Sequence, residues 1–240
     1  ADAAAETARF TPELKKASEA LAKASYATTK AGLAIILKSA HRKPGNPERD
    51  AARHPVETLD FFGVKPNQTV LEYGPGEGWF TELLAPLLAS KGQLIVTTAD
   101  PAGPADSWST VYAEKLQAFL GKSPELYGKV KTTVIDSSAP QLGLTGTVDT
   151  ALVLRGVHGM VNNDSLGTWL DQIHTALKKN GVLGIEQHRA AADADPKESA
   201  KKGYVPEAWL IAQVEAHGFK LAGKSEINAN PKDTKDHPAG

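Results

Sequence analysis

A short run of residues, Val70 to Phe80, constrains the fold of this chain more than any other stretch. Its sequence is V-L-E-Y-G-P-G-E-G-W-F: apolar residues that lead to an acid, then Gly74, Gly76 and Gly78. Glycines at alternate positions favour a tight turn, because glycine adopts positive φ at no steric cost and lets a ligand approach the backbone. The pattern predicts a buried strand, a turn that binds a nucleotide-like ligand, and a helix whose N-terminal N–H groups favour an anionic group.

Apolar runs alternate with helical patterns along the chain from residue 69 onward. The predicted strands are Thr69–Tyr73, Gln93–Thr98, Val130–Ile135, Val148–Leu154 and Val182–Glu186, and the predicted helices span 78–90, 106–120, 164–179 and 206–217. Because strands that alternate with helices form a parallel sheet covered on both faces, the sequence predicts an α/β fold with a doubly wound, mostly parallel sheet. Residues 221–227 are a candidate sixth strand, and no apolar run for a seventh follows them.

The residues before this alternation have a helical pattern. Thr11-Pro12-Glu13 predicts a helix start, with an N-cap, a proline in the first turn and an acid beside it. Gly63 predicts the end of a later short helix. We therefore expect residues 1–68 to form a helical extension packed on a ligand-binding core of residues 69–240.

Composition excludes several classes of function. The 240 residues carry a net charge of -1 and no long basic run, which disfavours a nucleic-acid partner. No apolar segment approaches the roughly 20 residues of a membrane span. There is no cysteine, so thiolate chemistry is absent. With nucleic acid and membrane disfavoured, we expect a small-molecule partner. The sequence does not predict the oligomeric state.

The first residues, Ala1 to Glu6, are small and lack an initiator methionine. They fit the stretch left after removal of a signal peptide, and equally a chain that was shortened for other reasons. An exported and a cytoplasmic location therefore both stay open.

The spacing of the glycines separates two kinds of ligand. The dinucleotide fingerprint G-x-G-x-x-G requires a third glycine at position 79, where this chain has Trp79. The spacing here is G-x-G-x-G, with Glu72 two residues before the first glycine. This departure argues against a nicotinamide-dependent oxidoreductase.

An acid before G-x-G-x-G at the end of a first strand resembles the class I methyltransferases that use S-adenosylmethionine. Acids also follow the next two predicted strands, Asp100 after the second and Asp136 after the third. The segment L-K-K-N-G-V-L at 177–183 is similar to the run-in to the family's fifth strand. The resemblance covers about residues 69–226 and implies a Rossmann-like fold and S-adenosylmethionine as the cofactor.

The resemblance also implies roles for individual residues. Glu72 would accept hydrogen bonds from the amino end of the cofactor, or would instead brace the glycine turn. Asp100 would hold the ribose hydroxyls, or would act in a turn before Pro101. Asp136 would lie near the adenine amino group, or in a solvated turn with Ser137 and Ser138. Arg155, after the fourth strand, would bind a carboxylate of the cofactor or an anionic substrate, or would pair with a local acid.

Two flanking segments extend the resemblance to a narrower, poorly characterised group of bacterial predicted methyltransferases, many of them apparently exported. They are H-R-K-P-G-N-P-E-R-D at 41–50 and E-I-N-A-N-P-K-D at 226–233. The first segment holds an unusually polar cluster. It would either fold over a substrate cleft or form a solvated linker.

Methyl transfer to a protonated nucleophile needs a base, most often histidine. His158 and His188 follow the fourth and fifth predicted strands, and each is either this base or a residue that hydrogen-bonds locally or faces solvent. Arg189, beside His188, would bind an anionic group or pair with a local acid, as would Arg155. No group of histidines and acids has a recognisable metal-ligand spacing, so no metal site is predicted. Trp108 and Tyr112 share a helix face, which predicts ordinary packing or a lid over the adenine.

These features favour an enzyme that moves a methyl group from S-adenosylmethionine to a small molecule and releases S-adenosylhomocysteine. The alternative is a protein of the same fold that binds the cofactor or its product without catalysis. The sequence does not identify the acceptor or its nucleophilic atom.

Overall fold

A computed structural model describes residues 2–136 and 139–238 of the chain. They divide into two compact units, residues 1–134 and 135–240. The sheet has five strands in the order β3-β2-β1-β4-β5, and the described pairings are parallel. This arrangement, with helices between the strands, confirms the predicted doubly wound, mostly parallel α/β fold.

The first unit begins with helices and continues with three strands. The helices before the sheet are α1 (Asp2–Arg9), α2 (Pro12–Lys23), α3 (Thr29–Ile36), a 3₁₀ turn (Pro47–Arg49), α4 (Asp50–Arg53) and α5 (Pro55–Phe61). The elements that follow are β1 (Thr69–Tyr73), α6 (Thr81–Leu88), β2 (Gln93–Thr98), α7 (Trp108–Gly121), α8 (Pro124–Tyr127) and β3 (Lys131–Val134).

Local signals explain some helix boundaries in this unit. The hydroxyl of Thr11 accepts a hydrogen bond from the Leu14 N–H and caps α2. Gly63 has φ +71° just after α5, as predicted. The helix α1 was not predicted, because its alanine-rich sequence lacks a capping residue and an apolar stripe.

The strands β1 and β2 are buried along most of their length. They pair from Thr69 opposite Gln93 to Glu72 opposite Val96. The helix α6 that connects them is buried at every position. It packs closely on α3, since a Cβ atom added to Gly32 would lie 2.6 Å from Leu87 Cδ1. The glycine turn therefore stands between two elements of the core.

The second unit contains two main strands and a small separate sheet. Its elements are β4 (Val148–Leu154), α9 (Val157–Asn162), α10 (Leu166–Ala176), β5 (Leu177–Glu186), β6 (His188–Arg189), α11 (Pro196–Ala200), β7 (Tyr204–Val205) and α12 (Glu207–Ala216). The strands β4 and β5 pair in parallel with a register shift between Val148 and Thr150. The short strands β6 and β7 pair with each other in a two-stranded sheet.

Two boundary predictions in this unit are wrong. The helix predicted to reach residue 179 ends at Ala176, and β5 begins at once at Leu177 instead of Val182. The early start is accommodated by Asn180, which has φ +64°, a conformation that asparagine tolerates better than most residues. Propensity alone gives no signal for such an irregular start.

The predicted sixth strand at 221–227 is also wrong. These residues have no regular hydrogen-bonded structure, and Leu221 is 51% exposed. Polar residues and Gly223 interrupt the segment, so it has too little apolar surface to bury against a sheet.

Candidate functional site

The turn between β1 and α6 has the backbone conformation that its glycines suggested. Gly74, Gly76 and Gly78 have φ values of +54°, +58° and +81°. A Cβ atom added to Gly74 or Gly76 would meet no atom within 4 Å. The space over these two residues is therefore open, as it must be for a ligand that lies against the backbone.

Gly78 has a different physical role. A Cβ atom there would lie 2.8 Å from Cε1 of Phe119 on α7, and the whole edge of that ring is within about the same distance. Packing therefore excludes a side chain at this position. The helix also begins later than predicted, at Thr81, because residues 76–80 form turns.

Glu72 lies near the end of β1 and is 2% exposed. Its Oε2 accepts a hydrogen bond of 2.8 Å from the Thr81 hydroxyl at the start of α6. In the part of the chain that the structure describes, no group donates to its Oε1. Burial raises the pKa of Glu72 to about 7, although the Thr81 hydrogen bond opposes the shift. The carboxyl thus braces the helix start through Oε2, and its Oε1 has no donor among the described residues.

Asp100 lies two residues beyond β2 and is exposed. Its Oδ1 accepts a hydrogen bond of 2.8 Å from the N–H of Ala102. This hydrogen bond stabilises a turn at Pro101, which was one of the two roles that the sequence suggested for Asp100. It uses one oxygen, and the other oxygen can still accept from a ligand hydroxyl.

Glu77, between the second and third glycines, is a residue that the sequence did not single out. It forms ion pairs with Lys115 at 3.0 Å and with Lys43 at 3.5 Å. The hydrogen bond from Lys115 lowers its pKa, with a smaller contribution from Lys43. Both lysines are more than 30 residues away in sequence, so no local pattern predicts these contacts.

The aromatic residues near the turn differ in burial. Trp79 and Phe80 are both buried, at 5% and 3% exposure. Trp108 and Tyr112 are 77% and 47% exposed. The interpretation of Trp108 and Tyr112 as ordinary packing residues is therefore wrong.

In the second unit, Asp136 and Arg155 follow strands as predicted, but with differences. The strand β3 ends at Val134, so Asp136 lies two residues beyond it, and Ser137 and Ser138 lie outside the described residues. Arg155 directly follows β4 with φ +57°, a strained conformation for a residue with a side chain. Its guanidinium lies 3.7 Å from a carboxylate oxygen of Glu186, which is the local pairing that was left open.

His158 lies close to the residue before His188, because its Nδ1 is 3.5 Å from Nε2 of Gln187, and both histidines are half-buried. Burial is the main cause of the lowered pKa of both histidines; Arg155 adds to it at His188. Both imidazoles are therefore neutral at pH 7, the form that a base requires.

Gln187 distinguishes the two histidines. Its Oε1 accepts from the N–H groups of Val157 and His158, so its Nε2 is the donor that faces His158 Nδ1 at 3.5 Å. The neutral His158 ring then carries its proton on Nε2. The ring nitrogens of His188 have no hydrogen-bond partner among the described residues, which makes His188 the better candidate for a base.

Tyr204 and Asp233 adjoin His188 and were not predicted. The rings of Tyr204 and His188 are 5.7 Å apart, and the Tyr204 hydroxyl donates to Asp233 Oδ1 at 2.8 Å. Asp233 belongs to a polar tail, residues 228–238, which has no helix or strand and folds back onto β6 and β7 through contacts with Arg189 and Tyr204. The only available signal was the second flanking segment, 226–233, whose Glu226 pairs with Arg189 at 2.8 Å.

Replacing Tyr204 with phenylalanine should free the tail and cost about 1 kcal/mol of stability, the typical net value of one hydrogen bond. Tyr204 is 1% exposed, so the ring should stay in place. We expect faster hydrogen exchange in residues 226–236 and an unchanged rate in β4. Thr234→Ala, which alters a hydroxyl in the same tail, is the matched control. Unchanged exchange in the tail would show that this hydrogen bond does not hold it.

Two further findings concern membranes and metals. No helix within the described ranges, 2–136 and 139–238, is both long and apolar enough to cross a membrane. The same residues contain no cluster of three or more histidine, cysteine, aspartate or glutamate side chains that could hold a metal ion.

Comparisons with known proteins place the fold. No protein-family model matches the chain, and no curated protein matches it in sequence. The structure is similar to that of a SAM-dependent methyltransferase from Aquifex aeolicus, with a TM-score of 0.54 and 20% identity over 72% of this chain and 84% of that one. The fold is therefore the Rossmann-like fold of class I methyltransferases.

Two other proteins of similar structure are named for different reactions. The [4+2]-cyclase SpnF has a TM-score of 0.54 and 16% identity over 82% of this chain and 74% of its own. The mitomycin 7-O-methyltransferase MmcR has a TM-score of 0.50 and 17% identity over 92% and 67%. At these identities the likeness shows the fold alone, and activity has to be argued from the site.

Proposed function

We propose that this protein transfers a methyl group from S-adenosylmethionine to a small-molecule acceptor and releases S-adenosylhomocysteine. The observation that carries the proposal is the open space over Gly74 and Gly76, which have positive φ, next to a buried carboxyl with one unused oxygen. The fold supports it, because structures with this fold include methyltransferases.

The glycine turn and the acids beside it would bind the cofactor. Glu72 would accept a hydrogen bond from the cationic amino group of the cofactor through Oε1. The backbone of the glycine turn would contact the cofactor. Asp100 would bind the ribose hydroxyls through the oxygen that the turn contact leaves. Asp136 would lie near the adenine amino group and Arg155 would bind a carboxylate, two roles that are taken from the sequence.

The two histidines would serve the acceptor. The cofactor supplies an electrophilic methyl group, so the chain has to align the acceptor, exclude water and remove a proton. We assign the removal of this proton to His188. His158 would orient the acceptor through its Nε2–H. The proposed acceptor is a small molecule, and a net charge of -1 supports the absence of a nucleic-acid partner. In this proposal residues 1–68 are an extension packed on the catalytic core of residues 69–240.

Isothermal titration tests the cofactor half of the proposal. We expect binding of S-adenosylmethionine and S-adenosylhomocysteine and no binding of NAD, because position 79 is occupied by a buried tryptophan. Binding of NAD alone would contradict the proposal and favour an oxidoreductase.

Histidine variants test the catalytic half. His188→Ala should lower turnover with a hydroxyl- or amine-bearing acceptor by about 10²-fold or more, while the Kd for S-adenosylhomocysteine stays unchanged. His217→Ala is the matched control, since His217 pairs with Asp171 at 2.7 Å on an exposed surface of the same unit. If the unmodified protein binds the cofactor but turns over no acceptor in a broad set, the non-catalytic binding protein is the better description.

A further inference from the structure

The polar segment His41–Arg53, which we name the polar clasp, is not a solvated linker. At its centre, the Arg42 side chain is 1% exposed. Its Nε donates to Oε1 of Glu82 at 2.9 Å, and its two terminal nitrogens donate to the two oxygens of Asp50 at 2.5 and 2.9 Å. Every part of the guanidinium therefore has a fixed carboxylate partner.

Glu82 lies in the first turn of α6 and has no exposed surface. Its second carboxylate oxygen accepts from the backbone N–H of Lys43 at 3.1 Å, and its backbone carbonyl accepts from Nε2 of His41 at 2.8 Å. Burial lowers the pKa of His41 to about 4, so this ring is neutral and donates through Nε2. Three consecutive residues of the clasp thus bind one residue of the helix.

Trp79, directly after the last glycine, is held in the same way. Its indole N–H donates to the backbone carbonyl of Asn46 at 3.0 Å. The guanidinium carbons of Arg42 and Arg53 lie 5.5 and 4.5 Å from the indole ring centre, within the range of a cation–π interaction. With the ion pair between Lys43 and Glu77, the clasp contacts the chain at positions 77, 79 and 82.

Stability alone gives a weak reason for this arrangement. A buried ion pair loses the hydration of both charges, and its replacement by apolar residues of similar volume is often neutral or stabilising. What the pair between Arg42 and Glu82 supplies is a fixed geometry, since a planar guanidinium bonds two carboxylates in defined directions.

We propose that the polar clasp holds the glycine turn in the conformation that receives the ligand, with Arg42, Glu82 and Trp79 as positioning residues. The inference rests on the proposed function, because the ligand of the turn is taken to be the cofactor. The clasp fixes the turn from its carboxyl-terminal side, where residues 76–80 form non-helical turns.

The test is the double variant Arg42→Met/Glu82→Met, which replaces the buried pair by apolar side chains. The control is Lys30→Gln/Asp60→Asn, which removes an ion pair of 3.5 Å between α3 and α5 in the same unit, away from the clasp and the glycine turn. Hydrogen exchange of residues 73–80 and the Kd for S-adenosylhomocysteine are measured for both.

We expect at least tenfold faster exchange of residues 73–80 and at least a tenfold higher Kd in the clasp variant, and neither change in the control. Unchanged exchange, or faster exchange with an unchanged Kd, would overturn the inference. If the double variant does not fold, Trp79→Phe removes the indole hydrogen bond and weakens the cation–π interactions with Arg42 and Arg53, and it should change both quantities in the same direction by about threefold. If the unmodified protein does not bind the cofactor, the proposed function fails, and the exchange result alone decides whether the clasp holds the turn.

Discussion

Replacing Gly76 by alanine should raise the Kd for S-adenosylhomocysteine at least tenfold, which corresponds to about 1.4 kcal/mol. The new Cβ atom would meet no protein atom, so it would project into the open space where the ligand is proposed to lie. The left-handed conformation, with φ +58°, should lower the free energy of unfolding by about 1–2 kcal/mol. Titration calorimetry and chemical denaturation measure the two effects.

Two other glycines serve as controls for this variant. Gly63 has φ +71° and equally open surroundings but lies after α5, so Gly63→Ala should cost similar stability and leave the Kd unchanged. At Gly78, alanine would also press on Phe119, and overpacking adds about 1–3 kcal/mol to the loss. Phe119→Leu in the same chain should recover part of that loss. Normal cofactor binding by the Gly76 variant would show that the ligand does not lie over the turn.

Replacing Glu72 by glutamine should increase stability at pH 8 and weaken cofactor binding. The pKa of Glu72 rises from 4.5 to about 7 on folding, so the folded protein binds a proton more tightly than the unfolded chain. The free energy of unfolding therefore falls as the pH rises from about 4.5 to about 7 and is constant above that. The shift corresponds to about 3 kcal/mol as an order of magnitude, and glutamine avoids this loss.

The measurement is chemical denaturation of both proteins at several values between pH 4.5 and pH 8. The two stability curves should diverge as the pH rises, since the amide oxygen of the introduced glutamine would still accept from the Thr81 hydroxyl without carrying a charge. Glu77→Gln is the control of opposite sign, because ion pairs lower the pKa of Glu77 and its charged form is the stabilising one. Parallel curves for the unmodified protein and the Glu72 variant would contradict the raised pKa.

The predicted and observed elements agree best where strands are buried on both faces. The bounds of Thr69–Tyr73, Gln93–Thr98 and Val148–Leu154 are those predicted, because a continuous apolar run between polar residues has few other stable arrangements in water. Elements without that signal were misplaced. They include the early start of β5, the unpredicted helix α1 and the segment 221–227.

The features of the candidate site also differ in how far the sequence predicts them. The open glycine turn and the buried acid beside it were predictable, since φ preference and the cost of an unpaired buried carboxyl act locally. The contacts of Tyr204 with Asp233 and of Arg42 with Glu82 join residues 29 and 40 positions apart. No pattern of neighbouring residues encodes such pairs.

The sequence by itself determined the alternation of strands and helices and the backbone of the glycine turn. Both depend on properties of adjacent residues: apolar runs, the absence of a Cβ atom and capping side chains. Only the tertiary structure decided that the polar clasp is buried against α6, that Trp108 is exposed and that the tail reaches His188. Burial and ion pairing are set by which distant segments meet, and that follows from the packing of the whole unit.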